Sequence, residues 1–500
     1  MKLSYSKTLN YNRIWVVISI LLISLALRWI LIVRGGQYYI ADEHRYEVSQ
    51  NVATLLLQGQ LGAAISQLII SPEHLGFKVI GIIPALMEHI IGPSLVMPAM
   101  FFSLFSVLNL YLIFILSQRI GTSSNESLLA LLLAASCLSL LYYSRHLFPY
   151  DTALSFGFLA LYVGLAENQT NKTSLACGCL GFLCFITYNG YWSLTAFAFL
   201  AHVLTNNETK IRLLQKAILT AVGFVVPLIL LIIVAIGTGT NILSEYRLFA
   251  TTITQGSYAE GWSLPLEYFW HTEHLVILIL AGLSFLAIIN GFKYKKKYAG
   301  LWVAGILFIY LCLLVPSVFL RYFVVYGRLA RQMLPFLILL AANGLAQLEH
   351  LTIPGYKVTR LIMATIFIQA AWNFNTSYNL SYPREFVAEA QSKFPAFEFS
   401  SKRLAFGAPL ICQNNGYIIE NAKYFVNPAE TIPQVDGYLI LSAPHPVNFL
   451  PYQYDGDPPA TRKIFHIQKL RMNFYKVNEE FMSETNPARM DIKNCMIQEK

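Results

Sequence analysis

The sequence predicts a multi-pass α-helical membrane protein with a small soluble α/β domain on its outer face. Three observations carry this. Apolar runs of bilayer-crossing length recur through the first three quarters of a chain that is 56% hydrophobic, with mean hydropathy +0.51. Basic residues crowd into alternate loops between those runs. The segment 374–500 returns to ordinary soluble composition, with 13 Lys+Arg balanced by 13 Asp+Glu. In lipid, only helices or closed barrels satisfy every backbone group. The runs are continuous and do not alternate, so they read as helices. The net charge of +9 therefore sits entirely in the membrane part. Loop orientation explains that excess better than nucleic-acid binding, and no nucleic-acid partner is expected.

In chain order, Lys2, Lys7 and Arg13 precede a first span at about Ile14–Val33 and hold its start in the cytoplasm. No small-residue cleavage site is evident, so this reads as an uncleaved helix. A long outer loop follows over 34–95. Within it, Glu47–Gln58 and Leu61–Ile70 read as short interfacial helices. Phe77–Ile91 is apolar but short and holds Pro84, Glu88 and His89, so it reads as re-entrant or interfacial. Further spans are expected at about Val96–Ser117, Ser127–Tyr143, Thr152–Ala166, Ser174–Tyr188, Tyr191–Leu204, Ala217–Ile236, Thr272–Ile289, Leu301–Leu320, Leu334–Leu348 and Leu361–Trp372. With the first this makes about eleven transmembrane helices, and a membrane domain over 1–373. The lysine run Lys293, Lys295, Lys296 and Lys297 is the strongest cytoplasmic marker. The outer domain, 374–500, carries β-like runs such as Gly437–Ser442 and Tyr417–Ile419. Of the seven cysteines, Cys177, Cys179 and Cys184 read as small packing residues. Cys412 and Cys495 lie in the outer domain, where an oxidising compartment would permit pairing.

The stretch Ala41-Asp-Glu-His-Arg-Tyr46 lies just behind the first span. Two carboxylates, a cation and a phenol there are costly unless they face water or a polar cavity. If a helix starts here, Asp42, Arg45 and Tyr46 share one face at i, i+3 and i+4. The plainer alternative makes Asp42 only a helix N-cap. Four arginines, Arg145, Arg321, Arg328 and Arg331, stand at outer span ends against the orientation bias. Their planar forks suit phosphate; contact with lipid headgroups is the simpler reading. Asp151 falls on the same outer face as Asp42 and Glu43. Acid beside cation suits transfer from a phosphate-linked donor, because a base takes the acceptor proton while cations hold the departing phosphate. The competing reading is a set of structural salt bridges.

A basic start, one span, Asp-Glu-x-x-Tyr, interfacial helices, a second outer Asp and a late Arg–Pro element together resemble the GT-C superfamily of polyprenyl-phosphate-sugar glycosyltransferases. The type is that of the family-39-like protein O-mannosyltransferases and lipid A aminoarabinose transferases. The carrying residues are Asp42-Glu43, Arg145-x-x-x-x-Tyr150-Asp151 and Gly327-Arg328-Leu-Ala-Arg331-Gln-Met-Leu-Pro335. The family's His/Lys-Pro-Pro stretch is replaced here by Ser71-Pro-Glu-His-Leu-Gly76. The resemblance implies Asp42 as general base, with Glu43 and Asp151 shaping the site or ligating a divalent metal where one is used. It implies Arg45, Arg145, Arg328 and Arg331 as donor-phosphate contacts and Tyr46 and Tyr150 as substrate contacts. The implied partners are a polyprenyl-phosphate sugar, a lipid, glycan or protein acceptor, and the lipids of a cell inner or plasma membrane. Two rivals stand beside it: a lipid or solute transporter or flippase, and a non-catalytic membrane scaffold.

Overall fold

The computed structural model describes residues 11–35, 40–70, 72–92, 96–120, 123–141, 144, 147–205, 209–240, 242, 244, 264–293, 297–319, 327–353 and 356–374, together with strands at 438–442, 461–467 and 472–477. The helices are α1 Tyr11–Gly35, α2 Ile40–Leu57, α3 Leu61–Ile70, α4 Leu75–Ile91, α5 Val96–Arg119, α6 Ser124–Ser136, α7 Leu138–Leu141, α8 Tyr150–Gly164, α9 Asn171–Thr187, α10 Trp192–Leu204 and α11 Lys210–Gly237. They continue as α12 Leu264–Glu273, α13 Leu275–Lys293, α14 Lys297–Leu314, α15 Gly327–Ala330, α16 Leu334–Gln347 and α17 Val358–Asn373. A π-turn, Val315–Phe319, extends α14.

Every expected span coincides with helix, the third being shared by α6 and α7 and the eighth by the end of α12 and α13. Among the described residues, Asn12–Val33, Val96–Arg119, Lys210–Gly237 and Ala299–Phe319 are long and apolar enough to cross a membrane. Asn171–Thr187, Leu275–Gly291 and Leu334–Gln347 are shorter apolar helices. The chain is an integral, multi-pass α-helical membrane protein.

The core lies where α5, α6, α8, α9, α10 and α16 meet. Around it stand α1 against α5, α11 against α9, and α13 and α14 against α16. The exposed apolar side chains of α11, including Ile218, Val222, Val225 and Ile229, suit contact with lipid tails. Lipid supplies no hydrophobic force between helices, so close backbone approach does that work. A Cβ on Gly178 would strike the Thr220 carbonyl of α11, and one on Gly223 would strike the Leu175 carbonyl of α9. A Cβ on Gly344 of α16 would likewise meet the Leu283 carbonyl of α13.

The structure revises several expected boundaries. The span expected at Ser127–Tyr143 is interrupted: Cys137 adopts extended dihedrals (φ −79°, ψ 119°) and ends α6. The short α7 begins immediately after it. Asp151 belongs to the first turn of α8 instead of the preceding loop. The loop expected at 206–216 is helical from Lys210, and the outer loop expected to reach His271 ends in α12. The stretch read as Phe77–Ile91 forms one 17-residue helix despite Pro84, which is buried on it. Strands Tyr438–Ser442 and Thr461–Ile467 both pair antiparallel with Met472–Val477, which lies between them. The first of these strands matches an expected β-run; Tyr417–Ile419 lies outside the described residues, as do Cys412 and Cys495.

Candidate active site

The expected site residues belong to distant parts of the chain. Asp42 is the third residue described in α2, so it sits within the helix and not at its cap. Helical spacing therefore puts Asp42, Arg45 and Tyr46 at i, i+3 and i+4 as expected. The side chains of Asp42, Glu43, Arg45 and Arg328, and the whole of Arg145 and Arg321, lie outside the described residues. Tyr46 is buried, in one apolar cluster with Ile32, Phe77, Phe102 and Leu147. Helix α2 packs on α4, where the Ser49 hydroxyl donates to the Lys78 carbonyl at 2.8 Å. Lys78 itself is buried, a cation inside an apolar run that the sequence reading passed over.

Asp151 and Arg331 are 180 residues apart and meet directly. Arg331 Nη2 donates to Asp151 Oδ1 at 2.6 Å, and both side chains are buried. Asp151 stands in the first turn of α8, where the helix dipole favours a negative charge. The Asn109 amide of α5 donates to the Asp151 carbonyl at 2.9 Å, and Ser155 Oγ donates to Asn109 Oδ1 at 2.8 Å. Arg331 lies in the turn between α15 and α16. Its neighbour Gln332 fixes that turn: its Oε1 accepts from Ser193 Oγ at 2.9 Å and from the Leu194 amide at 3.2 Å. Its Nε2 donates to the Leu329 and Gly190 carbonyls.

A second buried cation, Arg28 of α1, lies within electrostatic reach of both members of the pair. Its Nε donates to Ser106 Oγ at 2.9 Å, and its two terminal nitrogens donate to the Ser24 and Leu140 carbonyls. Glu273, at the end of α12, answers the break in the third span. Its Oε2 accepts from the Leu138 amide at 3.0 Å, and its Oε1 from the Ser139 amide at 2.7 Å and the Ser139 hydroxyl at 2.6 Å. The orphan N–H groups that open α7 thus find a buried carboxylate.

An aromatic wall closes the same end of the bundle. Tyr188 stacks on His74 (centroids 5.3 Å apart) and meets Tyr150 and Tyr191 edge-on at 4.8 and 5.0 Å. Tyr150 stacks in turn on Phe148 at 4.8 Å. His74 opens α4 with a left-handed backbone, φ 55°, and its Nε2 lies 2.8 Å from Glu73 Oε1. Of the expected tyrosines, both Tyr46 and Tyr150 are thus packed side chains. The sequence reading missed Arg28, Lys78, Glu273 and Gln332. Each is a polar residue within or beside an apolar run, and that placement was the available signal.

No family model matches the chain, and no curated protein sequence matches it. A crystal structure of ArnT from Cupriavidus metallidurans in the apo state is similar in fold, with a TM-score of 0.50 at 11% sequence identity. The match covers 94% of this chain and 99% of that one. The chain has the GT-C fold. In this fold the segment after α1 becomes α2–α4, which pack on one another, with α4 packed against α5 and α9. The two acidic segments expected from the sequence, Asp42-Glu43 and Asp151, sit respectively on α2 and at the start of α8.

Proposed function

We propose that this chain is a membrane glycosyltransferase that moves a sugar from a polyprenyl-phosphate donor to an acceptor at the outer face. The observation that carries the reading is the buried Asp151–Arg331 pair, held on the end of a GT-C fold that also presents the Asp42-Glu43 helix. A buried ion pair is poor evidence for stability, since apolar packing does as well or better. Its presence here, with Arg28 and Glu273 close by, fits a site that must manage charge.

In the proposed reaction Asp42 takes the proton of the acceptor hydroxyl. The acceptor oxygen attacks the anomeric carbon, the bond to the donor phosphate oxygen breaks, and that oxygen leaves with the electron pair. A single displacement of this kind inverts the anomeric centre. Arg45, Arg145, Arg328 and Arg331 compensate the negative charge that gathers on the leaving phosphate. Arg331 does so while bound to Asp151, which fixes its direction. Tyr46 and Tyr150, both buried, are the proposed substrate contacts.

Where a divalent metal takes part, Glu43 and Asp151 would hold it. An all-carboxylate set suits a hard cation, and with Oδ1 bound to Arg331, Asp151 would offer Oδ2. Such an ion would add positive charge beside the leaving phosphate.

A transporter places charges near the bilayer midplane, often at half-helix N-termini aimed at an anionic substrate. The broken helix α6–α7 has such an N-terminus, but Glu273 of the same chain occupies it. Mass spectrometry of membrane lipids, envelope polymers and protein glycans, with and without the gene product, tests the proposal. Loss of one sugar modification is expected on removal. An unchanged glycan and lipid profile would count against it.

A further inference from the structure

We propose that Glu273 is a positioning residue for the transfer reaction, acting on the site through Arg331. This rests on the glycosyltransferase reading above. The geometry starts with α12, which packs against α15 on one side and α7 on the other. Helix α15 ends at Ala330, so the turn bearing Arg331 begins where α12 supports it. Tyr268 and Phe269 of α12 are buried in the main core, as are Leu329 and Ala330 beside Arg331.

Glu273 ends α12 and joins three elements at one point. Its carboxylate accepts three hydrogen bonds from Leu138 and Ser139 at the start of α7. The neighbouring Thr272 hydroxyl stands 3.0 Å from the Ser139 hydroxyl. The Glu273 backbone carbonyl accepts from Asn373 Nδ2 at 2.9 Å, at the end of α17. The carboxylate is fully buried and lies within electrostatic reach of Arg331.

Two consequences follow for the site. Arg331 has Asp151 as its direct partner, and α12, which Glu273 ties to α7, packs against α15 immediately before it. Both favour one placement of its guanidinium. Glu273 also fixes α7, whose Leu140 carbonyl accepts from Arg28 and whose far end leads into the chain carrying Arg145 and Asp151. A carboxylate serving only as a cap would influence α7 and leave Arg331 unaffected.

A double-substitution cycle in the full-length protein, reconstituted in vesicles, separates these readings. Glu273→Gln keeps the size but puts an amide donor where two N–H groups already donate. Turnover is expected to fall about tenfold, corresponding to ~1.4 kcal/mol in the transition state, with donor KM little changed. In an Arg331→Lys background the same substitution should cost less than threefold, because the group it acts through is already displaced. Ser139→Ala, which removes one of the three hydrogen bonds and no charge, is the gentler probe if Glu273→Gln does not fold. It should show a smaller loss of turnover that likewise shrinks beside Arg331→Lys. Independent, multiplicative losses in turnover would overturn the positioning role and leave Glu273 as a helix cap. A folded wild-type protein that transfers no sugar would overturn the glycosyltransferase reading itself, and the role of Glu273 with it.

Discussion

Buried charge is the feature at the residue scale that asks most for an explanation. Asp151 and Arg331 are both nearly inaccessible to solvent and 2.6 Å apart. Arg331→Ala would strand the Asp151 carboxylate, and should destabilise the protein by about 3–5 kcal/mol. Replacing both at once, Asp151→Leu with Arg331→Met, removes the stranded charge. That double variant should regain most of the thermal stability, measured in detergent, and show no sugar transfer. If it also regained transfer, the pair would be dispensable for the reaction. Asp42 and Glu43 stand out in the sequence because adjacent acids behind an apolar run are costly without a purpose. Asp151 was legible for the same reason. The pairing of Asp151 with Arg331 was not, because nothing in local spacing reports a contact across 180 residues. Glu273 was hidden in an expected loop-to-span junction. Its partners, the Leu138 and Ser139 amides, exist as free donors only because the third span breaks at Cys137.

At the scale of the element, helices were legible wherever apolar length decided them. Their interruptions were not. The run 127–143 is apolar apart from three serines, so hydropathy does not show that Cys137 leaves the helix. The α9–α11 pair depends on a different signal, two glycines placed so that each admits the other helix's carbonyl. Gly178→Leu and Gly223→Leu each put side-chain atoms into backbone, which cannot yield as a flexible side chain can. Each should cost at least the ~1–3 kcal/mol typical of overpacking. Gly282→Leu on α13 is the control, since a Cβ there meets nothing within 4 Å. Thermal unfolding in matched detergent compares them. Equal stability of Gly178→Leu and Gly282→Leu would contradict the close packing of α9 on α11.

For the whole molecule, the basic loops predict the orientation that the proposed reaction needs. Lys295–Lys297 should be cytoplasmic, with Asp42, Asp151 and Cys412 external. Single introduced cysteines labelled from either side of sealed vesicles test this, and positions 42 and 296 on the same side would invert the scheme. The central claim is that Asp42 is the base for sugar transfer at that outer face. Its most direct test is turnover of a polyprenyl-phosphate sugar by the reconstituted protein, wild type against Asp42→Asn. Asparagine keeps the shape and removes the basic charge. Turnover is expected to fall roughly 10²–10⁴-fold, the range for loss of a general base, with the protein folded and inserted. A folded Asp42→Asn protein that turns over at near wild-type rate would contradict the claim.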